Sequence, residues 1–176
     1  MKFQSLDDVL VDELKDIYSL EQQLIKALDK MAKAADGDLH LAFLEHLAKT
    51  RTHADRIQQI CDQLKISPDG KKCAGIEGIV KEGNDVIKAG ANPDSLNAAL
   101  IGTAQRAEHY EIAAYGTART HARQLGYISM VKLLNETPEE EKQTDRRLTS
   151  LAENSINVRA AMQKGNLGAE SSLERA

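Results

Sequence analysis

Aromatic residues, cysteines and long apolar runs are scarce or absent in this sequence. The chain has no Trp, two Phe and four Tyr among 176 residues, so few rings are available to stack on nucleic-acid bases. No apolar run approaches the roughly 18 residues that a helix needs to span a bilayer. The first residues, MKFQSLDDVLVDEL, are acidic and lack a continuous apolar segment. We therefore expect no signal peptide and a cytoplasmic location.

The sequence also lacks a block of charge of one sign. Its 23 basic and 27 acidic residues are interleaved and give a net charge of −4, so we expect neither nucleic acid nor a membrane as a partner. The two cysteines, Cys61 and Cys73, lie twelve residues apart and have no metal-binding spacing. We expect one buried thiol and one loop thiol, with a disulfide or redox role as the alternative.

What the sequence has instead is helical periodicity, with no run of alternating β-branched residues. Apolar residues recur at steps of three and four along four long segments, which predict helices over about 6–35, 39–64, 94–126 and 128–152. A crossover of about thirty residues separates the second helix from the third and contains a short apolar pattern at 76–90. This layout predicts an all-α, ferritin-like four-helix bundle with a short extra helix in the long crossover.

The boundaries of the helices carry further predictions. Ser5, followed by acidic residues, is a plausible N-cap of the first helix, and either Asp94 or Ser95 is the expected cap of the third. Pro138 lies inside the fourth helix and should kink or divide it. We predict that the bundle occupies residues 1–163 and that the small, polar segment 164–176 is a flexible tail.

Ionisable side chains interrupt the apolar stripes of three predicted helices. Glu21 lies on the first stripe, His53 on the second, and Glu108 and Glu111 share the third. A carboxylate in a bundle core costs several kcal/mol unless it is paired or bound to metal. Two bridged divalent ions would offset that cost, and ligands rich in oxygen favour iron or manganese over structural zinc.

The fourth helix supplies a further acid at a matching height. Glu140 follows Glu108 by 32 residues, as His53 follows Glu21 by 32. Equal separations in two antiparallel hairpins of similar length place both pairs at a similar level. The predicted metal ligands are therefore Glu21, His53, Glu108, Glu111 and Glu140, around two iron ions or two manganese ions.

Each of these assignments has a structural alternative. Glu21 alone could be an edge residue or the partner of a core Arg, and His53 alone could be a hydrogen-bonded core His. The TPEE motif that ends at Glu140 is also a capping box. If a helix restarts there, Glu140 is a cap and Glu141 is the competing inward acid. His46, two turns before His53, is interpreted as structural.

Three segments resemble the bacterial ferritin-like stress proteins of the YciF/YciE type. They are DELKDIYSLEQQLIKAL, EHYEIAAYGTARTHARQLGY and EEEKQTDRRLTSLA. The likeness covers residues 3–160 and implies a ferritin-like bundle, often dimeric, with a diiron site related to that of rubrerythrin. By this likeness the carboxylate positions are Glu21, Glu108, Glu111 and Glu140, and His53 takes the position on the second helix.

The chain departs from the family pattern before its second-helix threonine. Relatives have a motif like HLEET, whereas this chain reads HLAKT, with Ala48 and Lys49. The resemblance then implies that one carboxylate is lost and that an ammonium group lies nearby, with His53, often Gln in relatives, as a substitute ligand.

Two functions are compatible with these observations. The first is a non-haem diiron or dimanganese protein of the stress response that reacts with peroxide or oxygen. The second is a non-enzymatic stress or interaction protein on the same scaffold, with a degenerate metal site. We expect a homodimer in either case, and the sequence identifies neither catalytic residues nor a redox partner.

Overall fold

The computed structural model describes residues 3–163, and within this range the chain is helical with no strand. The predicted flexible tail, 164–176, lies outside the described residues. Ser5 caps the first helix as predicted, because its hydroxyl oxygen accepts a hydrogen bond from the Asp8 amide at 3.1 Å. The elements are α1 (Leu6–Ala34), α2 (Gly37–Leu64), α3 (Ala74–Lys88), α4 (Pro93–Gln124), α5 (Ile128–Leu151), a π-helical segment (Ala152–Ile156) and α6 (Asn157–Met162).

Two helical hairpins form the bundle. The α1–α2 hairpin packs on the α4–α5 hairpin, and the crossover helix α3 covers the outside of α1 and α4. The predicted all-α four-helix bundle with a short helix in its crossover is confirmed. None of the described helices is both long enough and apolar enough to cross a bilayer.

The predicted cap of α4 was wrong by two or three residues. Neither Asp94 nor Ser95 caps this helix. Asn92 does so, because its side-chain oxygen accepts a hydrogen bond from the Ser95 amide at 3.0 Å. Asn92 is followed by Pro93 in the first helical position, where the missing amide proton costs no hydrogen bond.

Pro138 does not divide α5, which runs from Ile128 to Leu151 without interruption. No helix restarts at the TPEE motif, so the capping-box interpretation of Glu140 was wrong. The Thr137 hydroxyl accepts a hydrogen bond from Arg56 of α2 at 3.1 Å instead of capping a helix.

Two apolar clusters fill the ends of the bundle. One surrounds Phe43 and Leu100, and the other surrounds Ile17, Ile57 and Leu134. On every long helix the residues between these clusters include buried acids or histidines. The bundle therefore has a polar layer between two dry apolar regions.

Both cysteines are free thiols and both are buried. Cys73, expected in a loop, precedes α3 and packs in a small apolar cluster with Leu20 and Ile76. Its sulfur lies 3.4 Å from the Tyr110 hydroxyl. Burial raises the pKa of the Cys61 thiol to about 11, so at neutral pH this thiol is protonated and poorly reactive.

Candidate metal centre

Six ionisable side chains from four helices meet in the polar layer between the apolar clusters. Each is at most 3% exposed. They are Glu21 of α1, His46 and His53 of α2, Glu108 and Glu111 of α4, and Glu141 of α5.

The first group consists of Glu21, His53 and Glu111. Each residue offers a ligand atom, and these atoms lie within 4.8 Å of one another. His53 Nδ1 is 3.9 Å from Glu21 Oε2. The hydroxyl of Tyr115 donates a hydrogen bond of 2.6 Å to the other oxygen of Glu21, which fixes that carboxyl group and leaves its Oε2 free.

The second group consists of His46, Glu108 and Glu141, whose ligand atoms also lie within 4.8 Å of one another. His46 Nδ1 is 3.5 Å from Glu108 Oε1, and His46 Nε2 is 3.1 Å from Glu141 Oε2. A second set of oxygen and nitrogen ligands therefore lies beside the first.

Glu141 joins the two groups. Its Oε2 approaches His46, and its Oε1 lies 3.2 Å from His53 Nδ1. A carboxylate with one oxygen next to each group is placed as a bridging ligand between two ions would be.

Glu140 lies outside both groups, on the outer side of His53. Its carboxylate is 31% exposed and is 2.8 Å from His53 Nε2. Arg56 binds the same carboxylate through two nitrogens, at 2.5 and 2.9 Å, and lowers the pKa of Glu140. Because an ionised carboxylate only accepts hydrogen bonds, the proton of neutral His53 is on Nε2. The lone pair of Nδ1 then faces Glu21 and Glu141.

Burial controls protonation in the layer when no metal is bound. It raises the pKa of Glu21 and Glu111 well above the usual value, and that of Glu108 to about 10. Burial acts in the same direction on Glu141, but His46 and His53 outweigh it and the pKa of Glu141 is lowered. Without metal, the layer therefore favours the ionised form of Glu141 and disfavours the ionised forms of Glu21, Glu108 and Glu111.

The layer leaves many polar atoms without hydrogen-bond partners. Ten nitrogen and oxygen atoms of the six residues are buried and make no aligned hydrogen bond, including both oxygens of Glu108 and Glu111. Four of the ten approach one another in pairs, His46 Nε2 and His53 Nδ1 with the two oxygens of Glu141, at 3.1 and 3.2 Å. Each of the others costs roughly 1–3 kcal/mol. Four carboxylates and two imidazoles form a donor set that suits iron or manganese. This set fits two ions, and an ion in each group would satisfy the free atoms.

The structure brings together four of the five predicted ligands and leaves Glu140 beside the site. Glu141 takes the inward position on α5, although no helix restarts at the TPEE motif, which was the condition under which it was expected there. His46, interpreted as structural, lies beside Glu108 and Glu141 in the second group. Its position seven residues before His53 on the same stripe was the signal that it shares this layer.

The departure at Ala48 and Lys49 does not reach the layer. Ala48 is exposed. The Lys49 ammonium is 33% exposed and lies 3.4 Å from Glu45 on the surface of α2. Thr50 points inward, but its hydroxyl donates to the His46 carbonyl. The Lys49 ammonium therefore pairs with Glu45 outside the layer, and its charge acts on Glu108 only as a minor influence that lowers the pKa of that group.

Comparisons with known proteins agree with the motifs. The model of the family DUF892, described as a domain of unknown function, matches residues 5–161. YciF of Escherichia coli is 45% identical over 164 residues, which covers 91% of this chain and 98% of the relative. The crystal structure described as the E. coli stress protein YciF superposes with a TM-score of 0.84 at 44% identity and covers 88% of this chain and 99% of that one. YcfI of Rhodopseudomonas palustris, suggested to be a structural protein, gives a TM-score of 0.80 at 37% identity, with coverage of 84% and 94%.

Proposed function

The chain belongs to the DUF892 family, as the YciF-type motifs predicted, and from its buried layer we propose that it is a ferritin-like protein with a two-metal carboxylate centre. The ions are iron, or manganese in its place. The buried atoms of the layer that make no aligned hydrogen bond, above all both oxygens of Glu108 and Glu111, carry this proposal, because bound cations would satisfy them.

The geometry supports a ligand assignment for each ion. Glu21 Oε2, His53 Nδ1 and Glu111 would hold one ion. The other ion would be held by His46, Glu108 and Glu141. Glu141 would also bridge the pair, since its two oxygens approach the two histidines separately.

Other residues position the ligands without touching the ions. Glu140 accepts the Nε2 proton of His53 and Arg56 holds Glu140 in place, so the ring presents Nδ1 to the site. Tyr115 orients Glu21 by donating to its Oε1. Such partners typically change metal affinity by about 10- to 100-fold.

The chemistry of such a centre follows from the ions that it holds. A bound ferrous pair supplies two electrons, one per ion, to an oxidant such as dioxygen or peroxide. The apolar clusters on both sides exclude bulk water from the layer, so the ligands keep their orientation during that transfer. YciF is described as a stress protein, which supports a role in the stress response for this chain.

Metal content tests the proposal directly. The full chain is produced with iron or manganese in the medium, and a second sample is loaded with ferrous iron in the absence of air. Elemental analysis should find about two metal ions per chain, and Glu111→Gln should lower that number. The matched variant Glu153→Gln, at an exposed position of the same bundle, should bind as the parent does. A parent chain that stays metal-free after anaerobic loading would overturn the proposal.

A second function is favoured by contacts within the layer itself. Glu141 lies near both His46 and His53, so part of the layer can neutralise its charge without a metal ion. On this basis the chain would be a non-enzymatic stress or interaction protein. It would bind no metal, and its buried acids would serve only the fold.

The homodimer and the cytoplasmic location stay predictions. Light scattering on the purified full chain should give twice the chain mass if it is a dimer. A mass of one chain at micromolar concentration would contradict the dimer and leave the metal proposal intact, because all six residues of the two groups come from one chain.

A further inference from the structure

A small cavity lies between α1, α3 and α4, next to the polar layer. Its volume is about 20 Å³, which is room for about one water-sized molecule. Apolar side chains from all three helices form most of its wall, including Leu24, Leu28, Ile79, Val80, Ile87 and Ala104.

The other polar side chains of the wall have partners on their own helices. Asn84 donates from Nδ2 to the Val80 carbonyl at 2.8 Å, and the Thr103 hydroxyl donates to the Ala99 carbonyl at 3.3 Å. His46 is different, because its ring is buried and has no partner on its own helix, and its nitrogens lie 3.5 Å from Glu108 and 3.1 Å from Glu141 instead. It is also the wall residue that belongs to the groups of metal ligands.

The crossover helix forms the outer wall of this cavity. Gly83 of α3 is buried against Thr103 of α4, and a Cβ atom there would lie 2.9 Å from Thr103 Cγ2. Such a contact is too short for any side chain, so the glycine allows α3 to close tightly over α4. The cavity is therefore shielded by α3 and not left as an open groove.

The chemistry of the wall selects among small molecules. A buried water needs two to four polar partners, and hydrogen peroxide needs at least as many. Most of the wall is apolar, and its polar residues His46, Asn84 and Thr103 already make contacts with protein groups. An uncharged apolar diatomic molecule has no hydrogen bonds to lose and fits the volume.

We infer that this cavity binds dioxygen and delivers it to the metal centre on the side of His46. The inference rests on the proposed two-metal function and names dioxygen, not peroxide, as the oxidant that this cavity admits. Reduction of one dioxygen to hydrogen peroxide takes two electrons, one from each of two ferrous ions, and two protons from solvent.

Occupancy of the cavity can be tested without any metal. The metal-free full chain is placed under dioxygen pressure and its methyl relaxation is measured by NMR, since dioxygen is paramagnetic. Leu28 in the wall should relax faster than Ile57, which is buried in the other apolar cluster.

Ala104→Val should abolish the difference in relaxation by filling the cavity. Ala118→Val should preserve it, because Ala118 is a buried residue of α4 that lies outside the wall. If Ala104→Val does not fold, Val80→Ile fills the same space from α3. Equal relaxation of Leu28 and Ile57 in the parent chain would overturn the inference.

Delivery is tested on protein loaded with ferrous iron. Filling the cavity with Ala104→Val should slow oxidation by dioxygen by about tenfold, while Ala118→Val stays within about twofold of the parent chain. Oxidation by hydrogen peroxide should keep its rate in both variants. Unchanged oxidation by dioxygen, or equal slowing with both oxidants, would contradict delivery through this cavity. Failure of the parent chain to bind iron would overturn the proposed function instead, and the relaxation measurement would still report on the cavity.

Discussion

Replacing Glu111 by Gln should affect the metal-free and metal-loaded proteins in opposite directions. Glu111 is fully buried, and neither of its oxygens has a hydrogen-bond partner. Burial first, and then the neighbouring charges of Glu141 and Glu21, raise its pKa well above the ordinary 4.5. The metal-free fold therefore holds a proton on this group to a higher pH than the unfolded chain does.

The magnitude follows from that proton. Each pH unit over which the fold holds a proton that the unfolded chain releases costs about 1.4 kcal/mol. Gln has nearly the same shape and carries no such cost. Metal-free Glu111→Gln should therefore be more stable than the parent chain at pH 7, and each kcal/mol gained should raise Tm by roughly 2–4 °C for a domain of this size. When the free metal concentration is a thousand times its Kd, metal binding should stabilise the parent chain by about 4 kcal/mol. The variant should lose most of that stabilisation.

Calorimetry on both forms measures the two effects in one series. The parent chain, Glu111→Gln and the exposed control Glu153→Gln are scanned with chelator and then with ferrous iron in the absence of air. The control should match the parent chain in both conditions. A variant that is less stable than the parent chain without metal, or that keeps the full metal-dependent shift, would refute the argument.

Three further predictions follow from the layer. The pKa of Glu108 is about 10 in the fold against an ordinary 4.5. The folded metal-free chain therefore binds more protons than the unfolded one between these pH values, and its stability should fall as pH rises, by about 1.4 kcal/mol per pH unit for each such carboxyl. Urea unfolding from pH 5 to 9 checks this, and a flat profile would contradict it. Glu140→Gln should weaken metal binding by about 10- to 100-fold in a chelator competition, whereas Glu139→Gln, exposed on the same helix, should not. Tyr115→Phe removes the hydrogen bond to Glu21 and should cost about 1–3 kcal/mol in denaturant unfolding; no loss would mean that Glu21 finds another partner.

The fold could be predicted from the sequence because the apolar stripes are long and regular. The ends of α1, α2 and α5 follow the periodic residues closely. Pro138 does not divide α5, because the packing of α5 against α2 and α4 outweighs the loss of one backbone hydrogen bond. The cap of α4 was missed for a local reason, since Asn92 and Ser95 are both good capping residues and only the geometry decides between them.

The site could be predicted in part. Glu21, Glu108 and Glu111 are conspicuous because acids rarely lie on an apolar stripe. The choice between Glu140 and Glu141 depends on the rotation of α5 about its own axis, because adjacent residues lie about 100° apart on a helix, and equal separations along the chain do not determine that rotation. Arg56 also binds Glu140 on the outside of the bundle, and this contact between α2 and α5 is a tertiary feature that no spacing along the chain encodes.

The position of the metal ions is the most direct measurement of the central claim. Crystals of the full chain loaded with ferrous iron, measured at the iron absorption edge, show where iron scatters anomalously. The account predicts two peaks in the layer, one among Glu21, His53 and Glu111 and the other among His46, Glu108 and Glu141. Iron found only on the protein surface, with the six side chains hydrogen-bonded to one another in the layer, would contradict it.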